Sequence, residues 1–192
     1  MLSTIADGCL YKCKFCKVKN QKAFTPRSKT NIRQQLQALW DLYADDLINY
    51  NSLFLGEHDA LNAPEDLILF AAETAYDTLG FGRGIMTRPT LYFFGSVDAV
   101  LSAPDTLFKG LDPLPFNTRI NIGLESADPE TLDKIGKPIT AEKVTLAFRR
   151  MQEINKTCQK VEMTCNFIMD EGLPPGHNIA MMALVRDSLR FT

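Results

Sequence analysis

Arg119-Ile120-Asn121-Ile122-Gly123-Leu124-Glu125 runs straight into Ser126-Ala127-Asp128-Pro129, and this stretch decides the fold. Side chains of an extended chain alternate between two faces, so Ile120, Ile122 and Leu124 share one side and Arg119, Asn121, Gly123 and Glu125 the other. Asp128-Pro129 then opens a short helix that Gly136 and Pro138 stop. Thr140 caps a second helix carrying Val144, Ala147, Phe148, Met151 and Ile154 at helical spacing. A strand with one apolar and one polar face, followed at once by a helix, is the repeating unit of an α/β protein.

The same unit recurs on both sides. Downstream, Val161 to Met169 alternates Val161, Met163, Cys165, Phe167 and Met169 with Glu162, Thr164, Asn166, Ile168 and Asp170, and a helix is predicted from Asn178 onward. Upstream, strands are predicted over Leu91 to Phe94, Ser52 to Leu55 and Leu2 to Ala6. Between them Thr30 caps a helix with Ile32, Leu36, Leu39, Trp40, Tyr43 and Leu47 on one side. A second helix starts at Pro64, with Glu65 and Asp66 in its first turn and Gly80 at its end, and short helices fit between residues 98 and 116. Repeated strand-then-helix units imply parallel strands, because each crossover returns the chain to the same end of the sheet. The apolar strand faces should pack on helices and the polar faces should line a cavity, with the site at the C-terminal strand ends.

Five such units in 192 residues make one domain spanning 1–192, without internal repeats, low-complexity tracts or an interdomain linker. No apolar run reaches the roughly 20 residues of a membrane span, and no signal peptide precedes the first strand. Thiols poised for metal suit a reducing compartment, so a cytoplasmic location is expected. Charge is uneven: Lys12, Lys14, Lys17, Lys19, Lys22, Arg27 and Lys29 fall in one stretch without an acidic residue. Such a stretch serves as a solvated loop, a docking face for an acidic electron donor such as flavodoxin, or a nucleic-acid surface.

Gly8-Cys9-Leu10-Tyr11-Lys12-Cys13-Lys14-Phe15-Cys16 is the most informative motif. Cys9, Cys13 and Cys16 supply three clustered thiolates and no obvious fourth. Soft thiolates select zinc, copper(I) or iron–sulfur clusters, and a closed zinc site wants four ligands in close pairs. Cys158 and Cys165 stand far off and suit a core as small hydrophobes, while His58 and His177 are isolated from each other. A four-iron cluster on three cysteines keeps one iron open to an exogenous ligand.

On these residues the chain resembles the radical S-adenosylmethionine (radical SAM) superfamily, whose signature is C-x3-C-x2-C with an aromatic residue before the last cysteine, here Phe15. The resemblance implies a 4Fe-4S cluster on Cys9, Cys13 and Cys16, with SAM on its open iron. Phe54-Leu55-Gly56-Glu57-His58-Asp59-Ala60-Leu61 is similar to the family's turn that receives the SAM amino group, through Gly56 and Glu57, Asp59 or backbone carbonyls. Gly123-Leu124-Glu125-Ser126 with Lys137-Pro138 resembles the branch holding coproporphyrinogen-oxidase-like, cobalamin-linked and methylthiolating enzymes. There Glu125 would accept from the ribose hydroxyls and Lys137 would meet the SAM carboxylate or ribose. The stretch from Asn166 to Pro174 resembles the adenine-contacting strand, placing Ile168 against the base.

The resemblance further implies an open parallel partial TIM-type barrel, (β/α)6 in the family. With five units this chain reads as an incomplete barrel lacking the last unit and any C-terminal substrate domain. The implied function is reductive cleavage of SAM to a 5′-deoxyadenosyl radical that takes hydrogen from an unidentified substrate, RNA or a small molecule. Ser96, Asn121, Thr164 and Asn166 are candidate substrate-facing groups. The alternative is a non-catalytic iron–sulfur or zinc-binding module.

Overall fold

The computed structural model describes residues 1–16 and 23–188. In chain order the elements are β1 (Leu2–Ser3), β2 (Ala6–Asp7), β3 (Thr25–Pro26), α1 (Lys29–Tyr43), β4 (Ser52–Leu55), α2 (Glu65–Leu79) and β5 (Thr90–Gly95). There follow α3 (Val97–Ser102), α4 (Asp105–Leu111), β6 (Asn117–Glu125), α5 (Pro129–Lys134), α6 (Ala141–Thr157), β7 (Val161–Phe167) and α7 (Gly176–Ser188). β1, β4, β5, β6 and β7 form one open parallel sheet in that order, as the alternating units require. Among the described residues no helix is long and apolar enough to cross a membrane.

One face of the sheet is apolar and covered. Leu53, Leu55, Leu91, Phe93, Ile120, Ile122, Leu124, Val161 and Met163 are buried on it together with Ile32 and Leu36 of α1, Ile68 and Ala71 of α2, and Val144 and Ala147 of α6. Each buried large aliphatic side chain stabilises the fold by about 1.5–3 kcal/mol, and this layer supplies most of the core. The opposite face carries Phe54, Tyr92, Phe94, Asn121, Thr164 and Asn166. Phe54 stacks on Tyr92 and Phe94, with ring centroids 5.0 and 6.0 Å away, and Asn121 donates to Thr164 Oγ1 at 2.9 Å.

Four boundaries differ from expectation. The first strand, predicted over Leu2 to Ala6, divides: Leu2–Ser3 joins the sheet, whereas Ala6–Asp7 pairs antiparallel with Thr25–Pro26. Gln35 of α1 takes both backbone groups of Thr4, accepting from its N–H and donating to its carbonyl at 2.9 Å each, so the ladder stops there. Arg27 then grips both Asp7 carboxylate oxygens, at 2.9 and 2.8 Å. The cap of α1 is Ser28 rather than Thr30, because Ser28 Oγ accepts the Asn31 N–H. That helix ends before Leu47, since Ala44 adopts a positive φ of 42° and the chain continues as a 3-10 turn. β7 stops at Phe167 instead of Met169, for a reason that belongs to the site.

Candidate functional site

At the C-terminal ends of β4, β5, β6 and β7 the loops enclose a cavity of about 570 Å³, and the cysteine loop forms its remaining wall. Cys9, Cys13, Phe15 and Cys16 all line it. The loop starts at Gly8, whose φ of 81° suits glycine. It is pinned at three points. The Tyr11 N–H donates to Cys9 Sγ at 3.4 Å, the Lys14 N–H donates to the Ile135 carbonyl at 3.0 Å, and the Tyr11 hydroxyl donates to Asp98 Oδ2 at 2.7 Å while accepting the Asp98 N–H. Burial and the Asp98 acceptor raise the Tyr11 pKa. Burial also pushes Asp98 up, but its bonds to Lys143 and Tyr11 outweigh this and hold it below the ordinary carboxylate range. Burial raises the Cys9 and Cys13 thiols, against the Tyr11 N–H at Cys9 and the Lys137 charge at both.

The turn after β4 delivers the acidic wall. Gly56, at φ 86°, reverses the chain without facing the cavity itself, and Glu57, His58 and Asp59 line it. Asp59 is only 2% exposed, so it is a wall residue rather than a solvated turn residue. Its Oδ1 accepts the Ser96 N–H at 2.7 Å. Burial raises the Asp59 pKa, opposed by Ser96, the Leu10 amide and Lys137. Asp59 Oδ2 and His58 Nε2 are buried without a hydrogen bond. Buried polar atoms are nearly always paired, so two orphans in one cavity wall mark a surface built to meet a ligand.

β6 brings Glu125 to the opposite wall by an irregular path. Gly123 pairs with Asn166 but Glu125 pairs with Phe167, a bulge that bends the strand end. Glu125 has a φ of 66°, sparsely populated for any residue but glycine, and the Ser126 N–H closes a tight turn onto the Leu124 carbonyl at 2.9 Å. Its carboxylate folds back over Gly123, where a Cβ would lie 2.6 Å from Glu125 Oε1. The Ile168 N–H donates to the Glu125 carbonyl at 2.9 Å as the last bond of the β6–β7 ladder; β6 turns away after Glu125, so β7 has no partner beyond it and ends at Phe167.

Lys137 follows α5 and enters the same space, so it is more than a cation opposing a helix dipole. It is 7% exposed, with Nζ 3.8 Å from Glu125 Oε1 and 5.3 Å above the Tyr11 ring. Burial raises the Glu125 pKa and Lys137 opposes the shift.

The predicted residues thus converge on one cavity, apart from two. Gly56 acts through the turn, and Ile168 lies beside the wall rather than in it. Ser96, Asn121 and Asn166 also line the cavity, whereas Thr164 reaches it only through Asn121. Cys158 and Cys165 pack against the core. Of the basic stretch, Lys12 and Lys14 line the cavity, and Lys17, Lys19 and Lys22 lie outside the described residues. Tyr11 and His177 were not singled out. An aromatic between two cysteines could have flagged Tyr11, but nothing near His177 signals its place.

The donor set fits an iron–sulfur cluster with a bound amino acid. Three thiols face a cavity whose wall holds three acids, Glu57, Asp59 and Glu125, the buried Lys137 and two orphaned polar atoms, complementary to a group carrying both an ammonium and a carboxylate. Among the described residues no three His, Cys, Asp or Glu are placed to share a single metal ion. Thiolates that each hold a different iron of one cluster stand further apart than the ligands of one ion.

Three solved structures of the cobalamin-dependent S-adenosylmethionine radical enzyme OxsB share this fold. The form with aqua-cobalamin gives a TM-score of 0.60 at 18% identity, the form with aqua-cobalamin and S-adenosylmethionine 0.60 at 20%, and the apo form 0.58 at 18%. Each comparison covers 88% of this chain, and the chain spans 23% of the length of those proteins. No curated protein sequence matches it. The profile of the radical SAM superfamily matches residues 3–175, which hold the cysteine loop and both walls of the cavity, and the chain belongs to that superfamily of enzymes.

Proposed function

We propose that residues 1–192 are a radical SAM core domain in which Cys9, Cys13 and Cys16 hold a 4Fe-4S cluster and the cavity binds SAM. The observation that carries this reading is the meeting of all three cysteines with Glu57, Asp59, Glu125 and Lys137 around one cavity at the C-terminal strand ends. When bound and reduced, the cluster supplies one electron that cleaves the SAM sulfonium and yields a 5′-deoxyadenosyl radical able to take a hydrogen atom from a substrate.

The chain's own residues bind and orient. Asp59 Oδ2 and Glu57 accept from the SAM ammonium, and Lys137 pairs with its carboxylate as a point charge. Glu125 accepts from the ribose hydroxyls, and Ile168 packs against adenine. Phe15, beside Cys16, lines the cavity and would help shield a cluster held there from water. The Gly-Leu-Glu-Ser segment supports the coproporphyrinogen-oxidase-like and cobalamin-linked branch.

An acidic electron donor such as flavodoxin would dock at the basic cysteine loop, where Lys12 and Lys14 already border the cavity. The substrate-facing wall suits an uncharged molecule better than RNA, since Phe94, Asn121 and Asn166 carry no charge. A cytoplasmic location goes with this reading because a reduced cluster needs a reducing compartment.

Electron paramagnetic resonance of the anaerobically reconstituted, dithionite-reduced chain tests the proposal. A 4Fe-4S signal that changes on adding SAM is expected, with loss of the cluster in Cys9→Ala. A signal indifferent to SAM, or a full cluster in Cys9→Ala, overturns it.

A further inference from the structure

We propose that His177, which lies outside every motif of the family resemblance, is a positioning residue for the SAM site: its imidazole ties the ends of β6 and β7 into one unit. The proposal rests on the reading of the cavity as a SAM site.

For a neutral ring the hydrogen bonds around His177 admit only one arrangement. The residue sits in the first turn of α7 and is 1% exposed. Its Nε2 is 2.9 Å from the Ile168 carbonyl oxygen. A carbonyl only accepts, so Nε2 carries the proton. Nδ1 of the neutral ring then has a lone pair, and the Ser126 hydroxyl, 2.9 Å away, donates to it. Ser126 Oγ in turn accepts the Asp128 N–H at 3.0 Å. The chain of donors therefore runs from Asp128 through Ser126 and His177 to Ile168, with each group used once.

This chain locks the two residues assigned to opposite ends of the nucleoside. Ile168 donates its N–H to the Glu125 carbonyl and accepts from His177, so both of its backbone groups are held. Glu125 keeps a left-handed backbone that persists only where neighbours over-determine it, and the residue after it, Ser126, is fully buried and bonded to His177. An apolar residue at 177 would orphan the Ser126 hydroxyl and the Ile168 carbonyl together. The local backbone makes room for the ring: a Cβ at Gly176 would lie 2.8 Å from Asp128 Oδ1, so glycine allows α7 to start against α5. Lys134 donates to the Gly172 carbonyl across the same seam.

The cysteine loop is anchored elsewhere, on Asp98 and Ile135. Loss of the latch should therefore weaken SAM binding while sparing the cluster, a separation that general destabilisation would not produce. Preorganised contacts bind more tightly because the ordering cost is met before the ligand arrives.

The test compares the full chain with His177→Phe, which keeps ring volume and loses both bonds, and His177→Gln, which keeps one donor and one acceptor. Iron and sulfide content, SAM affinity by equilibrium dialysis, and imidazole nitrogen NMR of the apoprotein are read. A proton on Nε2 is expected in the parent, and a ring protonated on Nδ1 alone overturns the proposal. His177→Phe should keep its iron and bind SAM about tenfold or more weakly, with recovery in His177→Gln; affinity within about twofold of the parent overturns it. If His177→Phe does not fold, Ser126→Ala carries the same expectation and the same refutation. A parent that binds no SAM refutes the function proposed above rather than the latch. The latch is then read from hydrogen exchange of the Ile168 amide, which Ser126→Ala must accelerate and which, unchanged, overturns it.

Discussion

Lys137 Nζ lies 3.8 Å from Glu125 Oε1, and both side chains are withdrawn from water, 5% and 15% exposed. The separation is too long for a good hydrogen bond, so the ammonium has donors to spare for a second anion. Splitting a buried pair strands the remaining charge.

Lys137→Met should accordingly cost the apoprotein about 3 kcal/mol near neutral pH, since it takes away the cation that opposes the burial of Glu125. The loss should shrink at acid pH, where protonation of Glu125 removes the stranded charge. Urea denaturation at the two pH values measures it, and an equal loss at both would show that the pair is not what Lys137 supplies.

Gly123→Ala is expected to displace the Glu125 carboxylate without disturbing the core, because the added Cβ would lie 2.6 Å from Glu125 Oε1, and its nearest neighbours are that side chain's tip and Lys137 Nζ. The stability change should stay within about 1 kcal/mol while SAM affinity falls about tenfold. Unchanged affinity would remove Glu125 from the SAM contacts.

Burial raises the folded pKa of both Glu125 and Asp59 above ordinary values of 4.5 and 3.8. Each carboxyl therefore holds its proton more tightly folded than unfolded, so stability falls as pH rises from those values through the folded pKa. Asp59→Asn and Glu125→Gln should each flatten that fall in the apoprotein, read by denaturation from about pH 4.5 to about pH 7.5. A slope unaltered in both variants would contradict the burial of these groups.

Tyr11→Phe removes a hydroxyl that both donates to Asp98 Oδ2 and accepts the Asp98 N–H. It should cost about 1–2 kcal/mol and loosen the cysteine loop, so that chelators strip iron faster from the reconstituted protein. Iron loss at the parent rate would show that the loop is held by its other anchors.

Much of the architecture was legible because it rests on periodicity. The alternation of Ile120, Ile122 and Leu124 with Asn121, Gly123 and Glu125 reports which face meets the helices, and the structure buries the first set and turns the second toward the cavity. Gly80 ends α2 in the left-handed conformation that a glycine after an apolar helix announces. The cysteine spacing and the Glu125 and Lys137 segments pointed to one cavity. What stayed hidden depends on contacts between distant parts of the chain. Gln35 takes the backbone of Thr4 and splits the first strand. The positive φ at Glu125 has no local residue signal, since that position is not the glycine or asparagine that usually marks such a bend, and Gly123 beside the bulge does not by itself announce one. His177 looked isolated because both its partners are supplied by tertiary structure.

The anchors of the cysteine loop lie far along the chain, at Asp98, Ile135 and, through its pairing with Asp98, Lys143. During synthesis the three thiols leave the ribosome well ahead of these anchors, with none of them yet made. Until Lys143 has emerged they lack these anchors and are open to oxidation or to stray metals. Whatever delivers iron and sulfide must act late, or must shield the nascent segment until α6 has arrived.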